Sequence, residues 1–136
     1  MNVSVCIATF RRPERLKLLL DDLRQQQRAP TQVVIVDNDV GASAYGVVQR
    51  YRASSPPFTL DYAIEAERNI ASARNRSVAL ARGDWIAFID DDERAPEQWL
   101  TQLLAAAWEH SADGVLGPVE PEVPDGAPAW IRKGSF

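Results

Sequence analysis

Four acidic residues in a row, Asp90 to Glu93, are the feature of this sequence with the clearest chemical meaning. Adjacent carboxylates repel one another, so water must solvate such a run or a cation must neutralise it. Carboxylate oxygens are ligands that hard ions such as Mg²⁺ and Mn²⁺ prefer, and these ions also bridge phosphates. The alternative is a solvated loop that caps the following helix, where carboxylates are favourable. Because the run directly follows the apolar segment Trp85–Ile89, we favour a metal site.

Two further polar clusters also follow apolar segments. Residues Thr9 to Arg12 follow the first such segment, and Asp37 to Asp39 follow the second. If these segments are parallel strands, the clusters meet along one edge, where open parallel sheets bind ligands. Asp37 and Asp39 have two interpretations, as turn and cap residues or as hydrogen-bond acceptors for a nucleobase or ribose. The convergence of three clusters is more informative than any one of them.

Strands and helices alternate along the chain, and this order positions the clusters. Short apolar or alternating runs predict strands, whereas apolar residues spaced by three and four predict helices. The alternation indicates βαβ units and a largely parallel sheet. The predicted strands are Asn2–Thr9, Val33–Val36, Phe58–Ile64, Trp85–Ile89 and Gly114–Val119, and the predicted helices begin at Pro13 and cover about Ser43–Arg52, Asn69–Arg82 (closed by Gly83) and Pro96–His110.

The third predicted helix carries Arg74 on a face shared with Ala71, Asn75 and Val78. An arginine within a helix is usually solvated, but these neighbours mean that Arg74 need not point into bulk water. A neighbouring stripe has mostly small residues suited to close packing on a sheet, namely Ile70, Ala73, Ser77 and Ala81.

Composition limits the classes of protein to which the chain can belong. It has 136 residues, 46% hydrophobic and 25% charged, which fits one globular domain. A net charge of −4 without a basic run argues against nucleic-acid binding. Cys6 is the only cysteine, which favours a reducing cytoplasm, and no apolar run approaches the roughly 20 residues of a membrane span. Peripheral attachment to the inner face of a membrane stays open. The dinucleotide and P-loop glycine motifs are missing.

Four segments together resemble the inverting family 2 glycosyltransferases of the GT-A fold. Val3–Arg12 resembles the family's opening strand and Thr-aromatic/polar-Arg loop, and Val33–Asn38 resembles its second strand with the aspartate that contacts the nucleobase. Asn69–Arg76 resembles the family's Ala-Arg-Asn helix. Ala81–Asp92 resembles the Gly-acidic-aromatic strand that ends in the DxD motif. Four motifs in the family's order are far more specific than a DxD motif alone.

The resemblance implies an α/β fold of the GT-A (Rossmann-like) type, a three-layer sandwich with a mainly parallel central sheet. It implies transfer of a sugar from a nucleotide-diphospho-sugar to a hydroxyl of a sugar, lipid-linked or other acceptor, in polysaccharide or glycoconjugate biosynthesis. It implies Asp90 or Asp91 near the ribose, and Asp92 on a Mn²⁺ or Mg²⁺ ion that bridges the diphosphate. The candidate nucleotide-sugar-binding residues are Thr9, Arg11, Asp37, Asp39, Arg74, Asp90 and Asp91.

The C-terminal segment departs from the family pattern. Residues 1–136 are expected to form the nucleotide-sugar-binding part of a C-terminally incomplete domain, with 118–136 as a proline-rich loop or the start of the acceptor-binding region. The family's catalytic base has no counterpart, because Glu120 and Glu122 lie too close to the last predicted strand. We therefore expect the base to lie outside this chain. A non-catalytic binding module and a related nucleotidyltransferase are the alternatives. Uncovered apolar residues in 129–136 predict self-association.

Overall fold

The computed structural model describes residues 1–134 of the chain. These residues form two compact units, Met1–Gln102 and Leu103–Phe136, the second described as far as residue 134. The strands are β1 (Val3–Thr9), β2 (Gln32–Asp37), β3 (Thr59–Ile64) and β4 (Trp85–Phe88), and the helices are α1 (Pro13–Arg24), α2 (Tyr45–Ala53), α3 (Ile70–Leu80), α4 (Trp99–Glu109) and α5 (Ala129–Lys133).

The first unit is built on a four-stranded sheet with the order β3-β2-β1-β4, in which all neighbouring strands are parallel. β1 and β2 are its central strands, and nearly all of their residues are buried. Strands that are covered on both faces form continuous apolar runs, which is why the sequence marks these two so clearly. The predicted parallel sheet is confirmed.

Helices cover both faces of the sheet and make three layers. On one face, the four buried leucines of α1 belong to one apolar cluster with Val5 and Ile35 of the central strands. On the other face, Ala73 of α3 clusters with Cys6 and Val34. Burial of one leucine side chain stabilises a fold by about 1.5–3 kcal/mol, so the leucine stripe of α1 fixes that helix on the sheet. The predicted packing of the small-residue stripe of α3 is confirmed for Ala73.

The third helix is shorter than predicted and does not end at Gly83. It spans Ile70–Leu80, and the Asn69 side chain caps it by accepting a hydrogen bond from the amide of the helix's second residue at 2.8 Å. Gly83 has a different role, because a Cβ atom there would lie 2.6 Å from the backbone nitrogen of Ser4. The missing side chain lets the start of β4 approach β1 closely.

The predicted strand Gly114–Val119 is wrong, since this part of the second unit contains neither strand nor helix. Pro118 has no amide hydrogen to donate to a ladder, and glycine loses more conformational freedom than other residues when a strand forms. Leu116 is 99% exposed, which is the opposite of a buried strand position. Residues 118–128 are also without helix or strand, and α5 follows them. Phe136, part of the predicted apolar end, lies outside the described residues.

The other helices form where predicted and differ from the prediction by a few residues at their ends. α2 begins at Tyr45 rather than Ser43, and α4 begins at Trp99 rather than Pro96. Within residues 1–134, no helix is long and apolar enough to cross a lipid bilayer.

Candidate active site

Three polar clusters lie at the carboxyl edge of the sheet, as predicted. β1 and β2 end in register, with Thr9 opposite Asp37, and the acidic run begins two residues after the end of β4. A direct contact joins the first strand to the acidic run, because the Thr9 hydroxyl donates a buried hydrogen bond of 2.9 Å to Asp91 Oδ2. The parallel topology therefore brings together side chains that are about eighty positions apart in the sequence.

Asp91 is the buried member of the acidic run. Its second oxygen, Oδ1, lies 3.4 Å from Arg12 Nη1, so both carboxylate oxygens have a partner. Burial raises the pKa of Asp91 above its ordinary value, while the Thr9 hydroxyl and the Arg12 guanidinium oppose that rise. The geometry makes Asp91 a link between the first strand and the acidic run.

Asp90 and Asp92, on either side of Asp91, are about half exposed. Arg74 Nη2 donates to Asp90 Oδ1 at 2.8 Å, and Arg12 Nη1 lies 3.2 Å from Asp92 Oδ2. Arginine side chains as well as water therefore offset the repulsion within the run. Arg74 points at the acidic run, in line with its predicted helix face. Because a guanidinium binds phosphate with the same planar fork that binds carboxylate, both arginines can exchange a carboxylate for a diphosphate.

Asp37 is fully buried at the end of β2. Its Oδ1 accepts from the amide of Asp39 at 3.0 Å, and its Oδ2 accepts from the amide of Ala44 at 3.1 Å and the hydroxyl of Tyr62 at 2.7 Å. Desolvation and the bond to Asp37 raise the pKa of Tyr62, which keeps its hydroxyl protonated as a donor. This is the environment that the turn-and-cap interpretation predicts. A nucleobase contact for Asp37 stays a prediction.

Asp39 has a different environment although it is only two residues further on. Its Oδ1 accepts from the Gly41 amide at 3.0 Å, and Arg11 Nε lies 3.5 Å from Oδ2. The Gly41 hydrogen bond, with a smaller contribution from Arg11, lowers the pKa of Asp39 below its ordinary value. Arg11 has a φ of 53°, a backbone conformation that a non-glycine residue adopts only at some cost.

Three residues outside the list of candidate binding residues also shape this edge. Arg12 bridges Asp91 and Asp92. Its position in the loop after β1, beside Thr9 and Arg11, is the sequence feature that indicates a place at this edge. Asn38 donates from its side-chain amide to two backbone carbonyls of the loop after β3, at 3.0 and 2.8 Å. Tyr62 appeared only as one member of an alternating strand, and nothing in its local sequence indicated a contact with the second strand.

The residues that could hold a divalent ion at this edge are few. Within residues 1–134, no three His, Cys, Asp or Glu side chains are grouped so that they could hold a metal ion by themselves. Asp90 and Asp92 are both about half exposed and each lies near one arginine within residues 1–134, and the contact of Asp92 is the longer, at 3.2 Å against 2.8 Å. Mg²⁺ commonly binds one or two carboxylates together with water and substrate phosphates. The side chains therefore fit a metal that a bound diphosphate helps to hold.

Comparison with known proteins decides the family. The model of glycosyl transferase family 2 matches residues 4–134. The chain belongs to this family. It is 37% identical to the succinoglycan biosynthesis protein ExoM of Rhizobium meliloti (strain 1021) over 138 positions, which cover the whole chain and 44% of that protein. It is 34% identical to the galactofuranosyltransferase GlfT1 of Mycobacterium tuberculosis, with 90% of the chain and 40% of that protein aligned.

Two solved structures have a similar fold. The structure of S. aureus TarS 1-349 in complex with UDP-GlcNAc has a TM-score of 0.70 and 26% identity over 90% of this chain and 37% of that one. The mannosyltransferase PcManGT of Pyrobaculum calidifontis, in complex with GDP-Man and Mn2+, has a TM-score of 0.71 at 24% identity over 78% of this chain. The predicted family and GT-A fold are confirmed. The chain spans less than half the length of these relatives.

Proposed function

We propose that this chain supplies the donor site of a metal-dependent glycosyltransferase, which transfers a sugar from a nucleotide-diphospho-sugar to an acceptor hydroxyl. The donor-binding residues of the proposal are Thr9, Arg11, Asp37, Asp39, Arg74, Asp90 and Asp91, with Asp92 as the metal ligand. The proposal includes a cytoplasmic location, with or without peripheral membrane contact, and the single buried Cys6 is compatible with a reducing compartment.

One observation carries the proposal: the acidic run meets two arginines and the end of β1 at the carboxyl edge of the sheet. Parallel sheets bind ligands at this edge. The edge offers positive groups for the diphosphate and negative groups for the metal ion. Arg12 and Arg74 present guanidinium groups for phosphate oxygens, and Asp92 presents a half-exposed carboxylate for a cation. The hydrogen bond from Thr9 to Asp91 connects the acidic run to the end of β1.

A metal at Asp92 would neutralise the charge that develops on the departing diphosphate. The chain's own contribution is to place charged groups before the donor arrives. Thr9 and Arg12 fix the Asp91 carboxylate, and the backbone amide of Asp90 donates to Glu93 Oε2 at 2.8 Å, which holds the turn that presents Asp92. Preorganised charges of this kind do not have to reorganise during the reaction.

The relatives suggest the class of donor and acceptor. TarS was solved with UDP-GlcNAc, which makes a UDP-sugar the first donor to test. ExoM is named for succinoglycan biosynthesis and GlfT1 for galactofuranosyl transfer. We therefore propose a hydroxyl of a growing polysaccharide or glycoconjugate as the acceptor.

Calorimetric titration of the 136-residue chain with UDP and GDP, each with and without Mn²⁺, tests the donor site. We expect Mn²⁺ to strengthen the binding of at least one nucleotide by about tenfold or more, since a contact to a charged group contributes about 1.5–3 kcal/mol. Asp92→Asn should remove this gain, and its circular dichroism spectrum and unfolding midpoint should match those of the parent chain because Asp92 is half exposed.

Glu97→Gln is the matched control, because Glu97 is an exposed carboxylate a few residues beyond the acidic run. It should bind nucleotide and Mn²⁺ as the parent chain does. If Asp92→Asn kept the full Mn²⁺ dependence, Asp92 would not be the metal ligand. If the parent chain bound neither nucleotide under any condition, the donor-site proposal itself would be wrong.

A further inference from the structure

Phe10, the residue after Thr9, carries arginines over its ring. The guanidinium carbon of Arg68 lies 4.3 Å from the ring centroid, and that of Arg11 lies 4.9 Å from it. Cations within about 6 Å of an aromatic ring are attracted to its electron-rich face. Two like charges beside one ring also repel each other, so the arrangement is most favourable when an anion neutralises part of this charge.

Arg68 differs from the other arginines of this edge. Arg11, Arg12 and Arg74 each lie within 3.5 Å of an aspartate oxygen. In the part of the chain that the structure describes, the Arg68 side chain contacts the Phe10 ring and has no carboxylate partner. Its planar fork of N–H donors therefore remains available, and the ring already restricts its orientation. A side chain held in this way loses little conformational freedom when it binds a ligand.

The loop that carries Arg68 is held firmly to the second strand. The side-chain amide of Asn38 donates to the carbonyls of Glu65 and Glu67 at 3.0 and 2.8 Å. The amide of Asn69 donates to the carbonyl of Glu67 at 2.8 Å. These bonds lie on both sides of Arg68 in the sequence, so its backbone is anchored beside the end of β2.

We propose that Arg68, held over the ring of Phe10, binds a phosphate of the donor's nucleoside diphosphate. The inference rests on the proposed function and adds a residue to the donor site. A guanidinium can keep its face on an aromatic ring while its edge donates two parallel hydrogen bonds to phosphate oxygens. Lysine has the charge without the planar fork, so the geometry favours arginine at this position.

Titration of three variants with matched ligands tests this role: Arg68→Ala, Arg68→Lys and Phe10→Leu. The ligands are UDP and GDP with Mn²⁺, and uridine and guanosine as probes without phosphate. For whichever diphosphate binds the parent chain, Arg68→Ala should weaken binding by about tenfold or more, and binding of its nucleoside should not change. Arg68→Lys should bind the diphosphate more tightly than Arg68→Ala but less tightly than the parent chain. Phe10→Leu should also weaken diphosphate binding.

Arg28→Ala serves as the control, since Arg28 is exposed and, within residues 1–134, its side chain donates only to the Met1 carbonyl, next to the amino end of β1. It should bind every probe as the parent chain does. Unchanged diphosphate affinity in Arg68→Ala would overturn the inference and leave the donor site standing. Equal losses for diphosphate and nucleoside would also overturn it, because they would place Arg68 at the base. Failure of the parent chain to bind any diphosphate would overturn the proposed function, and this inference with it.

Discussion

Three buried or nearly buried aspartates at the carboxyl edge show how local partners decide what a carboxylate can do. Asp37 accepts three hydrogen bonds from its own domain, Asp39 is stabilised by an amide and an arginine, and Asp91 loses hydration that its two partners only partly replace. A buried carboxylate that already has partners within the fold can bind a ligand only if it exchanges one of these hydrogen bonds. The carboxylates of Asp90 and Asp92 are about half exposed, so a ligand can reach them directly.

Replacing Asp37 tests whether this residue stabilises the turn after β2. An asparagine keeps one acceptor oxygen and places an amide donor where the other oxygen accepted, opposite a backbone N–H or a hydroxyl. We expect Asp37→Asn to lower the free energy of unfolding by about 1.5–3 kcal/mol, the range for hydrogen bonds to charged groups. Tyr62→Phe removes one of the three donors to the carboxylate and should cost about 1.5 kcal/mol, the lower end of the same range. Urea unfolding followed by circular dichroism measures both changes.

The competing role for Asp37 predicts a different result. If the carboxylate contacts the nucleobase, Asp37→Asn weakens binding of UDP or GDP while the unfolding midpoint stays near that of the parent chain. Pyrophosphate binding would then be unaffected. The two measurements on one variant therefore separate the turn from the base contact.

The pH dependence of stability should reveal the buried state of Asp91. Its pKa is raised in the folded protein above the ordinary value of 3.8, mainly by burial. An acid with a raised pKa binds its proton more tightly in the folded state, so its contribution to stability is greatest below 3.8. That contribution falls as the pH rises through the raised pKa. The stability of the parent chain relative to Asp91→Asn should therefore decrease over this range.

Asp39→Asn provides the opposite control. The pKa of Asp39 is lowered, so its stabilising contribution is present above 3.8 and is lost as the pH falls through the lowered value. Urea unfolding of both variants between pH 3 and pH 7 would compare the two slopes. Parallel curves for Asp91→Asn and the parent chain would show that Asp91 has no shifted pKa.

At the scale of elements, the acidic run depends on how closely β4 approaches β1. Gly83 makes this approach possible, because a Cβ there would lie 2.6 Å from the Ser4 nitrogen and 2.9 Å from the Trp85 carbonyl oxygen. These are backbone atoms that cannot rotate away. Gly83→Ala should therefore lower the free energy of unfolding by at least about 2 kcal/mol, within the range for overpacked sites. It should also weaken Mn²⁺-dependent nucleotide binding.

Gly46→Ala is the matched substitution in α2, where a Cβ would meet only the end of the Arg50 side chain at 4.0 Å. Because alanine favours helices over glycine, this variant should be as stable as the parent chain or up to about 1 kcal/mol more stable. Chemical denaturation of the two variants compares a backbone clash with an open site. A Gly83→Ala chain of unchanged stability would show that β4 can shift without cost.

Some elements could be predicted from the sequence because their signals are local. β1 and β2 are buried on both faces and appear as apolar runs, and the leucines of α1 repeat at helical spacing. The parallel topology then predicted that the three polar clusters lie at one edge of the sheet. The segment Gly114–Val119 also looks like an apolar strand, but the structure has no strand there. Pro118 lacks a backbone N–H for the ladder, and glycine loses more conformational freedom than other residues in a strand.

Contacts between distant segments were the part of the site that the sequence could not specify. The bridge from Arg12 to Asp91 and Asp92, and the hydrogen bond from Tyr62 to Asp37, depend on the register of neighbouring strands and on side-chain direction. Neither property has a local signature. For the same reason, the sequence indicated Asp37 as a candidate ligand but did not show that its carboxylate accepts three hydrogen bonds within the domain.

At the scale of the whole molecule, the division of polar and apolar surface differs between the two units. The first unit brings the acidic run, Arg12 and Arg74 together at the sheet edge that we assign to the donor. The second unit exposes large apolar side chains, with Trp108 at 79%, Leu116 at 99% and Trp130 at 72%. Soluble monomers rarely expose extensive apolar surface, and such surface generally marks a place where another molecule binds.

We therefore expect the isolated 136-residue chain to self-associate through its second unit. In sedimentation velocity, the average mass should rise above the 15.1 kDa of one chain as protein concentration increases. The net charge of −4 opposes association weakly, so added salt should strengthen it by screening. Leu116→Ser combined with Trp130→Ser should shift the distribution toward one chain, whereas Glu120→Ser, an exposed polar control, should not. A mass of 15.1 kDa at every concentration would show that these side chains remain solvated.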